Sequence, residues 1–349
     1  MSTKSRKTHL VGAWPGRSAP DAMEEAFSRI GDHLLQMSDG ETGERRGWVT
    51  PTVEWARANP DLELVKDGDY SDLQNLPLFR VKGDGLDPAN LHLHYQRAFE
   101  ESFPAFKVLR ERHGKPEVRF QVGVPAPVDV AWAIAAPKDS PVADPKVVGA
   151  VHEATIPQLR AIHEIGGDDV VFQLETVAAM VAVVLAPEEQ QPAVATQMGE
   201  MLAAFAESAP VGAHFGLHLC LGDFNHTSAT DQSSARPLVL LSNAIAKAWP
   251  EDRPLDYIHA PFAAAAKPGH LEEEWFEPLS DLDLPEHVRF YAGFIHETFG
   301  IDDLRMIRDR IDRLTGRQID VAATCGLARR DSTDEAWDAM EKAAILIED

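Results

Sequence analysis

Apolar residues along the chain gather into eight short runs: 8–14 (THLVGAW), 33–40 (HLLQMSDG), 117–125 (EVRFQVGVP), 168–175 (DDVVFQLE), 214–223 (HFGLHLCLGD), 255–262 (LDYIHAPF), 288–297 (VRFYAGFIHE) and 318–327 (QIDVAATCGL). Their length and near-continuous apolar character predict strands buried on both faces. Between them the period changes to that of a helix. Residues Ile301, Leu304, Ile307, Ile311 and Leu314 form one stripe, with Gly316 placed to end it. Ser332 and Glu335 form a capping box ahead of a stripe through Trp337, Met340, Ala344 and Ile347. Further helices are predicted near 21–32, 89–113, 145–165, 187–208 and 236–249. Eight alternations of strand and helix are the count of a closed (β/α)8 TIM barrel, in the α/β class. A doubly wound open sheet is the competing architecture.

The interval 41–116 exceeds an ordinary strand-to-helix connection. It reads as a long insertion after the second strand, lying over the barrel mouth and carrying one or two helices, within a single domain spanning 1–349. Trp48, Trp55, Phe99, Phe103 and Phe106 give it aromatic surface for packing or for a lid.

Composition then narrows the function. A 349-residue chain that is 44% hydrophobic supports a large core, and a formal charge of −23 argues against nucleic acid, which needs a basic face. No apolar run is long enough to span a membrane, and the start MSTKSRKTHL lacks the apolar stretch of a secretory signal, so a cytoplasmic protein is expected.

Chemistry concentrates at the C-terminal ends of the runs, which a barrel gathers on one rim. There lie Trp14, Asp39, Glu41, Glu175, His218, Cys220, His259, His296, Glu297 and Cys325. His218 and Cys220 are two apart on a strand and share a face, about 6 to 7 Å apart at Cα. Cys325 is the chain's other cysteine. Two thiols and an imidazole suit zinc, with His259 as the candidate fourth ligand. Buried packing is the alternative use of a His-x-Cys pair. The segment MSDGETGERRGW (37–48) is a charged, glycine-rich loop on the same rim. Its Asp39, Glu41 and Glu44 suit a cationic or hydroxylated substrate group, and Arg45 or Arg46 an anionic one. His92 and His94 belong to the insertion, and no P-loop, GxGxxG or nucleophile elbow is present.

Five motifs in order, THLVGAWPGR, DGETGER, FQLE (172–175), HLCLGDFN (218–225) and CGLARR (325–330), resemble the catalytic barrel of cobalamin-independent methionine synthase from about residue 8 onward. The chain is also similar to epoxyalkane:coenzyme M transferase, a single-barrel relative. The resemblance implies a zinc ion held by His218, Cys220 and Cys325, with His259 where the family carries a glutamate. It implies a zinc-dependent transferase that activates a small thiol for attack on a methyl or alkyl donor, with Glu175 among the substrate contacts that the rim position already suggests for Trp14, Asp39, Glu41, Glu44 and Arg45. Glu175 followed by Thr176 and Val177 departs from the family's Asp-Glu-Pro, which moves the carboxylate and points away from homocysteine itself. The family's additional folate-binding barrel has no counterpart in these residues, so the usual polyglutamylated folate is not the expected donor. His296 is the expected proton donor to the leaving group, a structural hydrogen bond being its other use. Two readings compete. A metal-free lyase of the uroporphyrinogen decarboxylase type would use Arg17, Arg45, Arg46, Arg329 and Arg330 on carboxylates, and a non-catalytic zinc or thiol-binding barrel would close its site with His259.

Overall fold

A computed structural model describes residues 5–83, 85–135 and 143–349. Its strands in chain order are β1 (Thr8–His9), β2 (Gln36–Met37), β3 (Leu62–Lys66), β4 (Leu78–Val81), β5 (Arg119–Pro125), β6 (Val170–Thr176), β7 (His214–Leu219), β8 (Leu255–Pro261), β9 (Arg289–Ile295) and β10 (Asp320–Ala323). Eight of them form one parallel sheet in the order β1-β10-β9-β8-β7-β6-β5-β2, a nearly closed barrel with each of the eight apolar runs supplying one strand. Helices clothe the outside: α1 (Ala19–Ile30), α2 (Thr50–Ala56), α3 (Tyr95–Arg112), α4 (Pro127–Ala135), α5 (Pro145–Gly166), α6 (Ala178–Leu185), α7 (Gln191–Ser208), α8 (Arg236–Ala248), α9 (Glu273–Phe276), α10 (Ile301–Thr315) and α11 (Thr333–Glu348).

Local chemistry sets the helix ends. Ser18 accepts from the Asp21 amide to start α1, and Asp144 accepts from the Lys146 amide to start α5. Gly316 takes the left-handed conformation (φ 65°) that ends α10, and Ser332 and Glu335 form the reciprocal box that starts α11.

The ladder does not close between β1 and β2, so the carbonyls just past β1 at this seam need other donors. Gln121 Nε2 donates to the Leu10 and Val11 carbonyls (3.2 and 2.8 Å), and Gln173 Nε2 donates to Val11 as well. Above the strands the Trp14 amide donates to Gly40 O (3.2 Å) and Ser38 Oγ to Gly12 O (2.9 Å). The barrel floor is polar for this reason: His9, Gln36, Gln121, Gln173 and Tyr257 are buried in one hydrogen-bonded set.

Between β2 and β5 the chain leaves the barrel through α2 and the antiparallel β3-β4 hairpin, and returns in α3. The hairpin was not expected. Its residues are mostly exposed or half-buried, so they carry no apolar alternation to read. The region shares one hydrophobic core with the barrel through Val49, Val53, Leu73, Phe79, Leu86 and Leu91. No helix among the described residues is long and apolar enough to cross a membrane.

Candidate metal and substrate site

Parallel register aligns Pro125, Glu175, His218 and His259 across β5 to β8, one residue per strand at the same level. Cys220 follows directly on β7, its amide donating to Thr176 O (3.1 Å). The chain then turns through Gly222, whose φ of 84° suits glycine and sends its amide to Cys220 Sγ (3.3 Å). Cys325 lies two residues past β10. The result is a compact trio: Cys220 Sγ is 3.8 Å from Cys325 Sγ, and His218 Nε2 is 3.7 Å from Cys325 Sγ. All three ligand atoms lie within 4.8 Å of one another.

Donor spacing tests the fit to zinc. Bonds of about 2.3 Å to sulfur and about 2.0 to 2.1 Å to nitrogen, set tetrahedrally, put two sulfurs about 3.8 Å apart and nitrogen and sulfur about 3.6 Å apart. Both edges that meet at Cys325 Sγ have those lengths, and the third lies within 4.8 Å. The hydrogen bond shared by the two thiols lowers the pKa of Cys325, and the same bond together with burial raises that of Cys220. Burial keeps His218 neutral well below its ordinary value, and it lowers His259 to about 4.

His259 is not brought into the trio. Its Nδ1 lies 2.8 Å from His218 Nδ1 and its Nε2 lies 2.9 Å from the Ala323 carbonyl, so both ring nitrogens are engaged away from the thiols. Side-by-side register placed the ring correctly but could not say which atoms it offers.

Two cavities meet at this rim. The smaller is lined by His218, Cys220, Cys325, Asp223, Phe224 and Arg329. The larger runs under the excursion and is lined by His94, Tyr95, Phe99, Phe120, Val122 and Pro125 with the Asp39–Arg45 ion pair. Glu41, Trp48 and Glu175 line both. The combined space suits a small ligand with an apolar part.

Glu41 and Glu175 converge over Gly123, where a Cβ would sit 2.6 Å from Glu41 Oε1 and 2.9 Å from Glu175 Oε1. Glycine in the middle of β5 therefore makes room for two carboxyl groups. Burial raises Glu41 to about 8, with the Glu175 charge adding to it, and burial raises Glu175 to about 7. Gln173 Nε2 donates to Glu175 Oε1 (3.1 Å), and Trp48, which lines the same cavities, also favours the charged form of Glu175.

Other expected residues lie elsewhere. Trp14 is 2% exposed, its indole N–H spent on the Ala22 carbonyl (2.9 Å), and Glu44 points to solvent. Neither lines the two cavities. Asp39 and Arg45 line the larger one but are bound to each other, with Ser102 also donating to Asp39. His296 is buried, Nε2 donating to Ala265 O (3.0 Å) and Nδ1 accepting from the Thr298 amide (3.3 Å), and it lines neither cavity. Beside it, Arg330 pairs with Glu297 (2.8 Å) and faces Asp223 (3.6 Å).

Trp48, Tyr95 and Arg329 also line the site, and no pattern along the chain assigned them a substrate role in the thiol reading. Trp48 had a signal in its place at the end of the charged loop, and Arg329 in its place after CGL.

No protein-family model matches the chain, and no curated protein matches it. Solved structures do. A B12-independent methionine synthase from Shewanella sp. W3-18-1, in complex with selenomethionine, superposes with a TM-score of 0.61 at 11% identity, covering 99% of this chain and 98% of that one. A methyltransferase from Methanosarcina mazei superposes with a TM-score of 0.54 at 15% identity, covering 99% and 94%. At these identities the likeness is one of fold, and over nearly its whole length the chain shares the barrel architecture of these two proteins.

Proposed function

We propose that the protein is a zinc-dependent methyl- or alkyltransferase that activates a small thiol for attack on an electrophilic carbon. The observation that carries this reading is the convergence of His218, Cys220 and Cys325, whose two edges at Cys325 Sγ have the lengths of a zinc-centred tetrahedron and whose ligand atoms all lie within 4.8 Å of one another. When bound, zinc supplies a Lewis acid that lowers the pKa of a thiol in the open position. The full-length likeness in fold to a methionine synthase and a methyltransferase supports the same chemistry.

The chain's own residues do the rest. His218 on β7, Cys220 directly after it and Cys325 just past β10 would hold the ion at the ends of two strands that the parallel ladder fixes in place. The smaller cavity beside them receives the thiol, and the larger one, walled by Trp48, Tyr95, Phe99 and Phe120, receives the apolar part of the reaction partner and excludes water. Glu41 and Glu175, crowded over Gly123, retain protons near neutral pH when the site is empty. A cationic group entering between them takes over the role of that proton and anchors the substrate.

The competing readings find less support. Arg45 is paired with Asp39, Arg46 with the Ala328 carbonyl, Arg329 with the Arg46 carbonyl, Arg330 with Glu297 and Arg17 with Asp21, so all five arginines a polycarboxylate would need already have a partner. A closed four-ligand site would need a His259 nitrogen turned toward the thiols.

Metal analysis of protein purified without chelator tests the proposal, with about one zinc per chain and a sulfur-rich absorption edge expected. Cys220→Ala and Cys325→Ala should each lose the metal while keeping their circular dichroism. A folded parent protein that does not take up zinc at micromolar concentration overturns it.

A further inference from the structure

We infer that His259 is a positioning residue that locks His218 in the one tautomer whose Nε2 is free to meet a metal. The argument starts from a carbonyl. Ala323 O has no proton to give, so the 2.9 Å contact requires that His259 Nε2 carry the hydrogen. In a ring with a single proton, His259 Nδ1 is then a bare acceptor. His218 Nδ1 lies 2.8 Å from it, so His218 Nδ1 is the donor. That leaves His218 Nε2 with its lone pair exposed, 3.7 Å from Cys325 Sγ. Each proton follows from the one before it.

Three further features hold the relay in place. Register sets His218 and His259 side by side on β7 and β8. The accepting carbonyl belongs to β10, two residues before Cys325, so the strand that anchors the relay also carries one thiol of the trio. On β9, Gly293 leaves the space the His259 ring occupies. A Cβ there would come within 2.7 Å of His259 Nε2 and 3.0 Å of its Cε1. A metal-bound histidine commonly donates its other N–H to a carboxylate, a carbonyl or water. Here a second imidazole receives it and passes the orientation on to a backbone group that side-chain substitution cannot remove. The consequence for zinc affinity rests on the function proposed above, whereas the tautomer does not.

Nitrogen-15 NMR of histidine-labelled, metal-free protein reads the tautomer directly. The protonated nitrogens should be Nδ1 in His218 and Nε2 in His259, and a His218 ring protonated at Nε2 overturns the inference. Zinc affinity, measured by chelator competition, should fall about 10- to 100-fold in His259→Leu, and recover most of that loss in His259→Gln, which keeps one acceptor and one donor. Gly293→Ala displaces the ring without removing it and should weaken zinc in the same direction. Unchanged affinity in both His259→Leu and Gly293→Ala overturns the positioning role, as does metal-edge spectroscopy that counts two imidazole ligands. A parent protein that takes up no zinc fails the proposed function instead, while the tautomer remains measurable.

Discussion

At the scale of single residues, the two carboxyl groups crowded over Gly123 make the protein's stability depend on pH in a defined direction. Glu41 and Glu175 are raised from 4.5 to about 8 and about 7 in the folded state, so the folded chain binds more protons than the unfolded one between those values. Stability from this source is present below pH 4.5 and is lost as the pH rises through 7 and 8. Urea midpoints of metal-free protein should therefore fall across that window, and Glu175→Gln should make the fall shallower. In the same variant the Michaelis constant for a cationic substrate should rise about 10-fold while zinc content is unchanged. His218, Cys220, Cys325, Glu41 and Glu175 were legible in the sequence because strand alternation and the common rim fix where they project. The direction in which a ring presents its nitrogens was not. His259 and His296 sit at the strand ends the sequence assigned them, yet neighbouring carbonyls from distant segments, at Ala323 and Ala265, decide what their nitrogens face.

At the scale of elements, α6 illustrates both what a pattern reveals and what it hides. Its sequence, AAMVAVVL, is apolar on every side, so it has no stripe, and the same is true of much of α4. Neither was predicted, whereas α10 and α11, with a clear polar face and explicit end signals, were. What starts α6 is a distant acid. Asp129 Oδ1, on α4, accepts from the amides of Val177 and Ala178 at 2.8 and 2.7 Å. This cap holds the loop that follows Glu175, so it couples a helix end to the site. Asp129→Ala should cost about 1 to 2 kcal/mol in thermal or denaturant melts, with Asp129→Asn, which keeps an acceptor, costing less. The hairpin β3-β4 escaped notice for the opposite reason, since its strands bury too little to show a period.

At the scale of the whole molecule, the excursion and the barrel build the substrate space jointly, with Trp48 at the junction of the two cavities. Trp48→Phe removes the indole N–H beside Glu175 but keeps an aromatic wall. It should raise the Michaelis constant of the electrophilic substrate several-fold without loss of bound zinc, as steady-state kinetics and metal analysis would report.

The seam between β1 and β2 gives the barrel a property that a fully laced one lacks. A cylinder closed by backbone ladders changes girth only by breaking them, but here the two margins are tied by the amide groups of Gln121 and Gln173 and by the short contacts at Gly12 and Gly40. The ring is a split collar, fastened by side chains and sprung at the point where the excursion departs. Backbone amides of β1 and β2 should exchange with deuterium sooner than those of β6, β7 and β8, and bound substrate should slow that exchange by clamping the collar shut.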